Sequence, residues 1–236
     1  MDAGKLFLMS KRYFTPRLFA FLRDLADNND RDWFKAHQDD FESYVREPAL
    51  DFVNDFAGPL KKISPHFVAD SRTVGGSLFR IQRDTRFSKD KTPYKLNTGL
   101  QFRHIAAKDA HAPGFYMHLQ PGECFIGVGL WRPESKVAYT IREAIAENPA
   151  PWKKATRGKR FTDVFELTGD SLIRPPRGYE EDHPLIEDLK RKDFIASAQI
   201  TQKAITSDTF MAEFADSCKR SAPFMKFLCE AIGVPF

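Results

Sequence analysis

The sequence contains 236 residues, which is enough for one large domain or two small ones with a substantial core. Hydrophobic residues make up 42% and charged residues 29%, and this composition excludes a disordered or fibrous chain. The net charge of +4 is too small to indicate nucleic-acid binding by itself, so the distribution of charge along the chain is more informative.

The N-terminal residues 1–12 are predicted to be disordered or extended, and residues 13–236 to form one domain. A short apolar run from Leu6 to Met9 falls below the roughly 7–15 apolar residues of a secretory signal and the about 20 of a membrane span. The cysteines form an odd set without the paired spacing of a metal site. These features predict a reduced, cytoplasmic protein with no disulfide, no structural zinc and no membrane contact.

Helices are predicted for the first part of the chain, before residue 65. Apolar and aromatic residues recur there at helical spacing, and cap residues and prolines mark the ends. The approximate bounds of the predicted helices are Thr15 to Asn28, Trp33 to Tyr44, and Glu47 to Ser64.

The apolar residues change from helical spacing to alternation in the middle of the chain. Strands are predicted at Leu78–Arg86, Asn97–Ile105, Phe115–Gln120 and Glu123–Trp131. The last two should form an antiparallel hairpin about Pro121-Gly122, because this register places their apolar residues on one face. The expected cross-strand pairs are Leu119 with Cys124, Met117 with Ile126, and Phe115 with Val128.

The remainder of the chain is predicted to contain further strands between two helices. The predicted elements are a helix around Val137 to Ile145, strands at Phe161–Leu167 and Phe194–Ile200, and a final helix that begins at Ser207 or Asp208 and is interrupted by Pro223. N-terminal helices, a central antiparallel sheet and C-terminal helices together predict a single α+β domain.

The hairpin register also predicts which side chains lie on the sheet face opposite the core. That face collects basic, aromatic and small residues: Arg80, Gln82, Gln101, Arg103, Tyr116, His118, Gln120, Gly127, Gly129 and Trp131. Because its two glycines carry no side chain, we expect a shallow trough in which a ligand could bind. The alternative is an ordinary solvent-exposed face, and alternation alone favours that alternative.

The segment from Arg72 to Arg103 is strongly basic, with eight Lys and Arg residues and two Asp residues. Guanidinium groups bind carboxylate or phosphate in bidentate fashion, and lysines add positive charge. The candidate ligand-binding residues are Arg80, Arg83, Arg86, Lys91, Tyr94, Lys95, Arg103 and Tyr116. The alternative is a loop held together by its own Arg–Asp pairs through Asp84 and Asp90.

Several short motifs resemble one protein family. They are Asn28-Asn29 with Trp33-Phe34, the run Arg80–Lys95, Gly114-Phe-Tyr116, Arg174-Pro-Pro-Arg177-Gly178-Tyr179, and His183-Pro184. In these motifs the chain is similar to the bacterial domain-of-unknown-function 2461 family, from about Tyr13 to Ile232. The resemblance implies a cytosolic bacterial protein of one domain and implies no reaction. The basic cluster of Arg174, Arg177 and His183 is interpreted as a proline-stiffened turn.

Three functional hypotheses remain open, and the sequence does not decide whether the protein is an enzyme. The first is binding of a small anionic or phosphate-containing ligand by the basic segment. The second is an enzyme on the same surface, with His118 or Asp84 as general base. The third is a nucleic-acid-binding module in which Tyr94 and Trp131 stack on bases. A second basic run would assist it: Lys153, Lys154, Arg157, Lys159 and Arg160.

No metal ion and no cofactor are predicted. His104, His111 and His118 are seven residues apart, but alternation places His104 and His118 on opposite sheet faces, which argues against a three-histidine site. The sequence has no Walker-type phosphate loop and no Gly-x-Ser-x-Gly elbow. Nothing in the sequence indicates the oligomeric state.

Overall fold

The helices predicted for the N-terminal part of the chain are present before the first strand. The structure is a computed structural model, and it describes residues 10–106 and 112–236. These helices are α1 (Pro16–Asp27), α2 (Arg31–Ala36), α3 (Gln38–Phe41), a π-helical turn (Glu42–Arg46) and α4 (Glu47–Ile63). Most of the N-terminal segment 1–12 lies outside the described residues, so its disordered or extended conformation stays a prediction.

Capping residues and one π-helical turn define these helices. Thr15 is extended at the N-cap of α1, and a proline occupies its first turn. Asp30 caps α2 by accepting hydrogen bonds from the backbone N–H groups of Asp32 and Trp33. The sequence predicted separate helices on either side of Pro48, whereas α3 continues through the π-helical turn into α4. Proline is tolerated there because the regular hydrogen-bond pattern is already interrupted.

In the described residues, six antiparallel strands form one sheet. They are β1 (Phe67–Val68), β2 (Thr98–His104), β3 (Gly114–Gln120), β4 (Glu123–Leu130), β5 (Glu166–Thr168) and β6 (Phe194–Gln199), in the spatial order β1-β2-β3-β4-β6-β5. The β3–β4 hairpin has the predicted register, with Met117 opposite Ile126 and Leu119 opposite Cys124. These side chains are buried, so the expected hairpin and its core face are confirmed.

The predicted strand over residues 78–86 is wrong. This segment makes isolated bridges, Leu78 with Leu100 and Gln82 with Tyr94, and then leaves the sheet. Its alternation comes from a few side chains that pack singly, such as the buried Ile81. Beyond Gln82 this segment pairs, among the described residues, only with the returning arm of the same loop, through the Arg83 N–H and the Pro93 carbonyl, and it does not continue as a strand of the sheet.

The predicted strand over residues 161–167 is only partly correct. Its first residues belong to a short helix, α7 (Lys159–Thr162), and its last residues to β5. Phe161 and Phe165 are both buried, and their separation of four residues is helical spacing. The apolar pattern therefore combined a helical turn with a strand.

The remaining helices surround the second half of the sheet. They are α5 (Ser135–Glu147), α6 (Pro149–Arg157), α7, α8 (Ile186–Leu189), α9 (Gln202–Ile205) and α10 (Phe210–Ala231). The predicted interruption of the last helix is wrong, because α10 continues through Pro223. Interior proline costs about 3 kcal/mol, and burial of neighbours such as Phe224 and Leu228 offsets that cost.

The core lies between the helices and one face of the sheet. Phe56 of α4 contacts Phe102 of β2 and Phe214 of α10, with ring centroids 4.7 and 4.9 Å apart. These contacts join N-terminal helices, sheet and C-terminal helices in one apolar cluster. The protein is therefore a single α+β domain, as predicted. Among the helices of the described residues, none combines the length and the apolar composition needed to cross a membrane.

Candidate functional site

The basic loop, which we define as residues 80–95, leaves the sheet beside β2. Its two arms are joined by backbone hydrogen bonds from Arg83 N–H to the Pro93 carbonyl and from Lys95 N–H to the Ile81 carbonyl, both 2.8 Å. The basic loop contains six basic residues and two aspartates, which gives it a net charge of +4. The backbone hydrogen bonds fix the two arms of the loop relative to each other, and its net charge produces a strong positive electrostatic field.

Two arginines of the basic loop are held by its own aspartates. Arg86 donates to Asp84 from Nε at 2.9 Å and from Nη2 at 2.7 Å. Arg83 Nη1 lies 2.5 Å from Asp90 Oδ2 and also contacts the Thr92 hydroxyl. The Arg86 side chain lowers the pKa of Asp84 to about 2, and the Thr92 N–H and Arg83 lower the pKa of Asp90 to about 2. The alternative interpretation, in which the loop is held together by its own Arg–Asp pairs, is therefore correct for Arg83 and Arg86.

The other cations of the basic loop keep donors for a ligand. Lys91 donates to the Thr85 carbonyl at 2.9 Å, and Lys95 donates to the Arg80 carbonyl at 2.8 Å. Each ammonium group uses one of its three N–H donors in these hydrogen bonds. Arg80 and Lys89 are exposed, and their side chains make no hydrogen bond or ion pair with a described residue.

Asn29 joins the connection between α1 and α2 to the basic loop. Its side-chain amide donates to the Tyr94 carbonyl and accepts from the Tyr94 N–H, both at 3.0 Å. The Tyr94 ring stacks on Phe34 at 4.1 Å and is 9% exposed, so Tyr94 anchors the loop. Sequence reasoning proposed Tyr94 as a ligand contact and missed Asn29, although Asn29 belonged to a motif of the family resemblance.

An open groove of about 1040 Å³ lies between residues 29–33 and the two arms of the basic loop. Basic side chains line it from both sides, with Arg31 on one wall and Arg83 and Lys91 on the other. Asp30, which also lines the groove, uses its carboxylate to cap α2. Asp32 supplies one further carboxylate, so the groove is polar with a modest positive excess.

A second cluster lies on the sheet face opposite the core. The Tyr116 hydroxyl is 3.0 Å from His118 Nδ1, and the His118 ring stacks on Phe125 with centroids 4.7 Å apart. The glycines do not open the trough predicted here, because the Tyr116 side chain lies over Gly127, at an ordinary contact distance of 3.6 Å from the position of an added Cβ. A Cβ added at Gly129 would meet the backbone of β6. Glycine is therefore required at position 129 by the close approach of β6, whereas position 127 has room for a Cβ beside Tyr116.

The two candidate general bases already have hydrogen-bond partners. Burial lowers the pKa of His118 and raises the pKa of Tyr116 to about 12, so near pH 7 the imidazole is neutral and the phenol protonated. The Tyr116 O–H then donates to Nδ1, and the Nε2–H of His118 donates to Gln120 at 3.3 Å. Asp84 is paired with Arg86, and its pKa of about 2 makes it a weak base at neutral pH.

The structure does not bring all predicted ligand-binding residues together. Arg103 donates to the Gly75 carbonyl at 2.6 Å. The Lys95 amine lies 5.6 Å from the Phe79 ring centroid, and burial, then Arg80, lowers its pKa. Tyr116 belongs to the outer sheet face. The groove contains three of the eight predicted residues: Arg83, Lys91 and Tyr94.

The features proposed for nucleic-acid binding are separated in the structure. The second basic run lies on α6 and α7, which pack against α10. One member of that run, Arg157, pairs with Asp188 at 2.9 Å. Trp131 is 47% exposed, with the Arg132 guanidinium 4.7 Å from its ring centroid, whereas the Tyr94 ring is buried.

His104 and His118 lie on opposite faces of the sheet, as alternation predicts. His104 is buried at the end of β2, whereas His118 lies on the outer face, and His111 falls outside the described residues. Within residues 10–106 and 112–236, no group of three or more His, Cys, Asp or Glu side chains could hold a metal ion. The cysteines are free and buried: Cys124, Cys218 and Cys229.

Comparison with known proteins adds a family. A family model described as Conserved hypothetical protein (DUF2461) matches residues 17–227, which span α1 to most of α10. Comparisons with curated proteins and with solved structures found no match. The match includes the basic loop and both walls of the groove. The chain therefore belongs to the conserved hypothetical protein family DUF2461.

Proposed function

We propose that the protein binds an anionic ligand, carrying phosphate or carboxylate groups, in the groove between residues 29–33 and the basic loop. The observation that carries this proposal is the convergence of Arg31, Arg83 and Lys91 from two separate segments on one groove. Like charges on opposite walls repel each other, and an anion placed between them removes that repulsion.

The groove supplies the hydrogen-bond donors that an oxyanion requires. Lys91 has N–H donors left after its bond to the Thr85 carbonyl, and Arg31 makes no side-chain hydrogen bond within the described part of the chain. Thr92 lines the same surface. Guanidinium and ammonium groups hold phosphate or carboxylate through charge-assisted hydrogen bonds. Arg83 has its own contacts to Asp90 and mainly positions the wall.

The clamp between Asn29 and Tyr94 supports binding indirectly. Its two hydrogen bonds hold the two walls at a fixed spacing, and the stacked Phe34 ring supports the same contact. A ligand that enters a preformed groove does not have to order its walls, which reduces the entropic cost of binding. The groove is therefore better prepared for a ligand than a free basic loop would be.

The other two hypotheses have less support. A nucleic-acid module needs aromatic rings that can stack on bases, and the Tyr94 ring is already covered by Phe34. An enzyme needs a general base, but the Nδ1 lone pair of His118 accepts from the Tyr116 hydroxyl, and the pKa of about 2 makes Asp84 a weak base. Nucleic-acid binding is one of the possible outcomes of the experiment that follows.

Calorimetric titration with inorganic pyrophosphate tests the proposal. The wild-type protein should bind it saturably at one site. Arg31→Gln combined with Lys91→Gln removes one cation from each wall and should weaken binding about a hundredfold or more, because each charge-assisted hydrogen bond contributes roughly 1.5–3 kcal/mol. Arg86→Gln combined with Lys89→Gln is the control, since it removes the same charge from loop residues outside the groove.

The control variant should keep an affinity within a few-fold of the wild type. Equal weakening by the two double variants would contradict a defined site and indicate a diffuse positive field. A short single-stranded DNA is titrated in parallel. Tighter binding of the DNA than of pyrophosphate, with a steep decrease in added salt, would replace the proposal with nucleic-acid binding.

A further inference from the structure

A second pocket lies beside α5 and shares no residue with the groove. Its volume is about 300 Å³. The lining residues are Tyr139, Glu143, Ala146 and Glu147 of α5 together with Gly178 and Tyr179. Two phenol rings and two carboxylates line this α5 pocket, and no basic residue is among its lining residues. Its chemistry is therefore the reverse of that of the groove.

A tight turn brings Tyr179 to the α5 pocket. The Tyr179 N–H donates to the Pro176 carbonyl at 3.2 Å, and Gly178 has φ +93°. These are the features of a type II turn, which requires a left-handed residue at its third position. The predicted proline-stiffened turn is confirmed, and its role is to place a tyrosine beside α5.

The two glutamates of the α5 pocket lack a cationic partner. Glu143 and Glu147 are four residues apart on α5, and neither makes an ion pair within residues 10–106 and 112–236. Like charges at this spacing destabilise a helix. The neighbouring Arg142 is buried and uses its guanidinium to donate to the carbonyls of Leu189 at 2.7 Å and Arg191 at 2.6 Å. Its donors are therefore directed to the protein interior.

The Tyr179 phenol is close to this negative charge. Burial raises the pKa of Tyr179, Tyr139 and the two glutamates raise it further, and Arg142 opposes them. The Tyr179 hydroxyl makes no hydrogen bond to any described residue. The α5 pocket thus combines an aromatic wall, an unused hydroxyl and carboxylates without counter-charge.

We infer that the α5 pocket binds an organic ammonium group. A cation over a tyrosine face is attracted by the negative face of the ring, and the nearby carboxylates supply the counter-charge. Small metal cations prefer a shell of several oxygen ligands, whereas phenol faces favour an alkylated nitrogen. The ammonium group can belong to a small amine or to the lysine side chain of a peptide, and both share this chemistry.

NMR of protein labelled with ¹³C in its tyrosine rings tests this inference. Tetramethylammonium chloride and a capped lysine are titrated separately, with sodium chloride at matched ionic strength as reference. We expect saturable shifts at Tyr139 and Tyr179 that sodium chloride does not reproduce. Glu143→Gln combined with Glu147→Gln should weaken binding by roughly two- to thirtyfold, because two carboxylate contacts are lost.

The control is Glu134→Gln combined with Glu166→Gln, which removes two exposed carboxylates outside the α5 pocket. It should leave the affinity unchanged. The pocket variant should not melt earlier than the wild type, because it removes a like-charge pair from α5.

Tighter binding of the capped lysine indicates a peptide source, and tighter binding of tetramethylammonium indicates a small quaternary amine. The inference is wrong if neither probe shifts Tyr139 and Tyr179, or if both double variants weaken binding equally.

Discussion

Asn29 connects two segments that lie far apart in the sequence. Its amide satisfies both backbone groups of Tyr94, 65 residues away, as a neighbouring strand would. The sequence showed two adjacent asparagines at a helix end, and either could have been a simple cap. Which of them faces the basic loop depends on the three-dimensional path of the chain.

Replacement of Asn29 by alanine should destabilise the fold. The half-buried backbone groups of Tyr94 would lose their partners, and we expect a loss of about 1–3 kcal/mol in the free energy of unfolding. Asn28→Ala is the matched control, because the exposed Asn28 side chain donates to the Asp24 carbonyl. Urea unfolding of both variants measures the difference. Equal losses in the two variants would show that the hydrogen bonds between Asn29 and Tyr94 contribute no more to the free energy of unfolding than the bond of Asn28 does.

Because His104 is buried, we expect the protein to lose stability at mildly acidic pH. The Ala106 N–H donates to His104 Nδ1 at 3.1 Å, so the Nε2–H donates to the Pro235 carbonyl at 2.8 Å. Burial lowers the pKa of His104 below the value of about 6.5 in the unfolded chain. The unfolded state therefore binds more protons below about pH 6.5, and the free energy of unfolding falls as the pH decreases toward the folded pKa.

Urea unfolding at several pH values between about 7.5 and 5.5 measures this effect. The His104→Gln variant should lose stability less steeply than the wild type over that range. His118 contributes in the same direction, because burial also lowers its pKa, so His104→Gln combined with His118→Gln should be flatter still. Parallel curves for wild type and both variants would refute the assignment.

At the level of elements, the alternation of apolar and polar residues predicted the sheet correctly where two neighbouring strands had to place their apolar residues on the same face. The β3–β4 hairpin was predictable because one register buries three cross-strand apolar pairs, Phe115 with Val128, Met117 with Ile126 and Leu119 with Cys124. Phe125 is the exception, since its ring lies on the outer face against His118. The segment 78–86 had no such cross-check, and its pattern is that of a loop with isolated bridges. Pro223 was misleading for a related reason, since a local signal for a helix end was overridden by the burial of the residues around it.

Pro223→Ala should stabilise the protein. Pro223 is exposed inside α10, so alanine loses little packing and restores an N–H donor to the helix. Helix propensity favours alanine by about 3 kcal/mol, and we expect a gain of roughly 1–3 kcal/mol because the helix already accommodates the proline. The midpoint of urea unfolding reports the change. A lower midpoint would mean that α10 requires the local geometry imposed by proline.

At the level of the whole molecule, the order of helices, sheet and helices could be predicted because periodicity is a local property of the sequence. The basic loop was also visible as a charge pattern. The groove was not, because it requires residues 29–33 and the basic loop to meet through the contacts of Tyr94 with Asn29 and Phe34. Three of the eight predicted ligand-binding residues line this groove, and Tyr116 lies on the outer sheet face.

The most direct test of the proposed function is the location of bound pyrophosphate on the protein. Backbone amide chemical shifts are recorded while pyrophosphate is added to the wild-type protein and to the double variant Arg31→Gln with Lys91→Gln. The largest saturable changes should occur together in residues 29–33 and 82–94, and they should be lost in the variant. Changes concentrated around Tyr116 and His118, or spread evenly over exposed lysines and arginines, would contradict the groove as the anion-binding site.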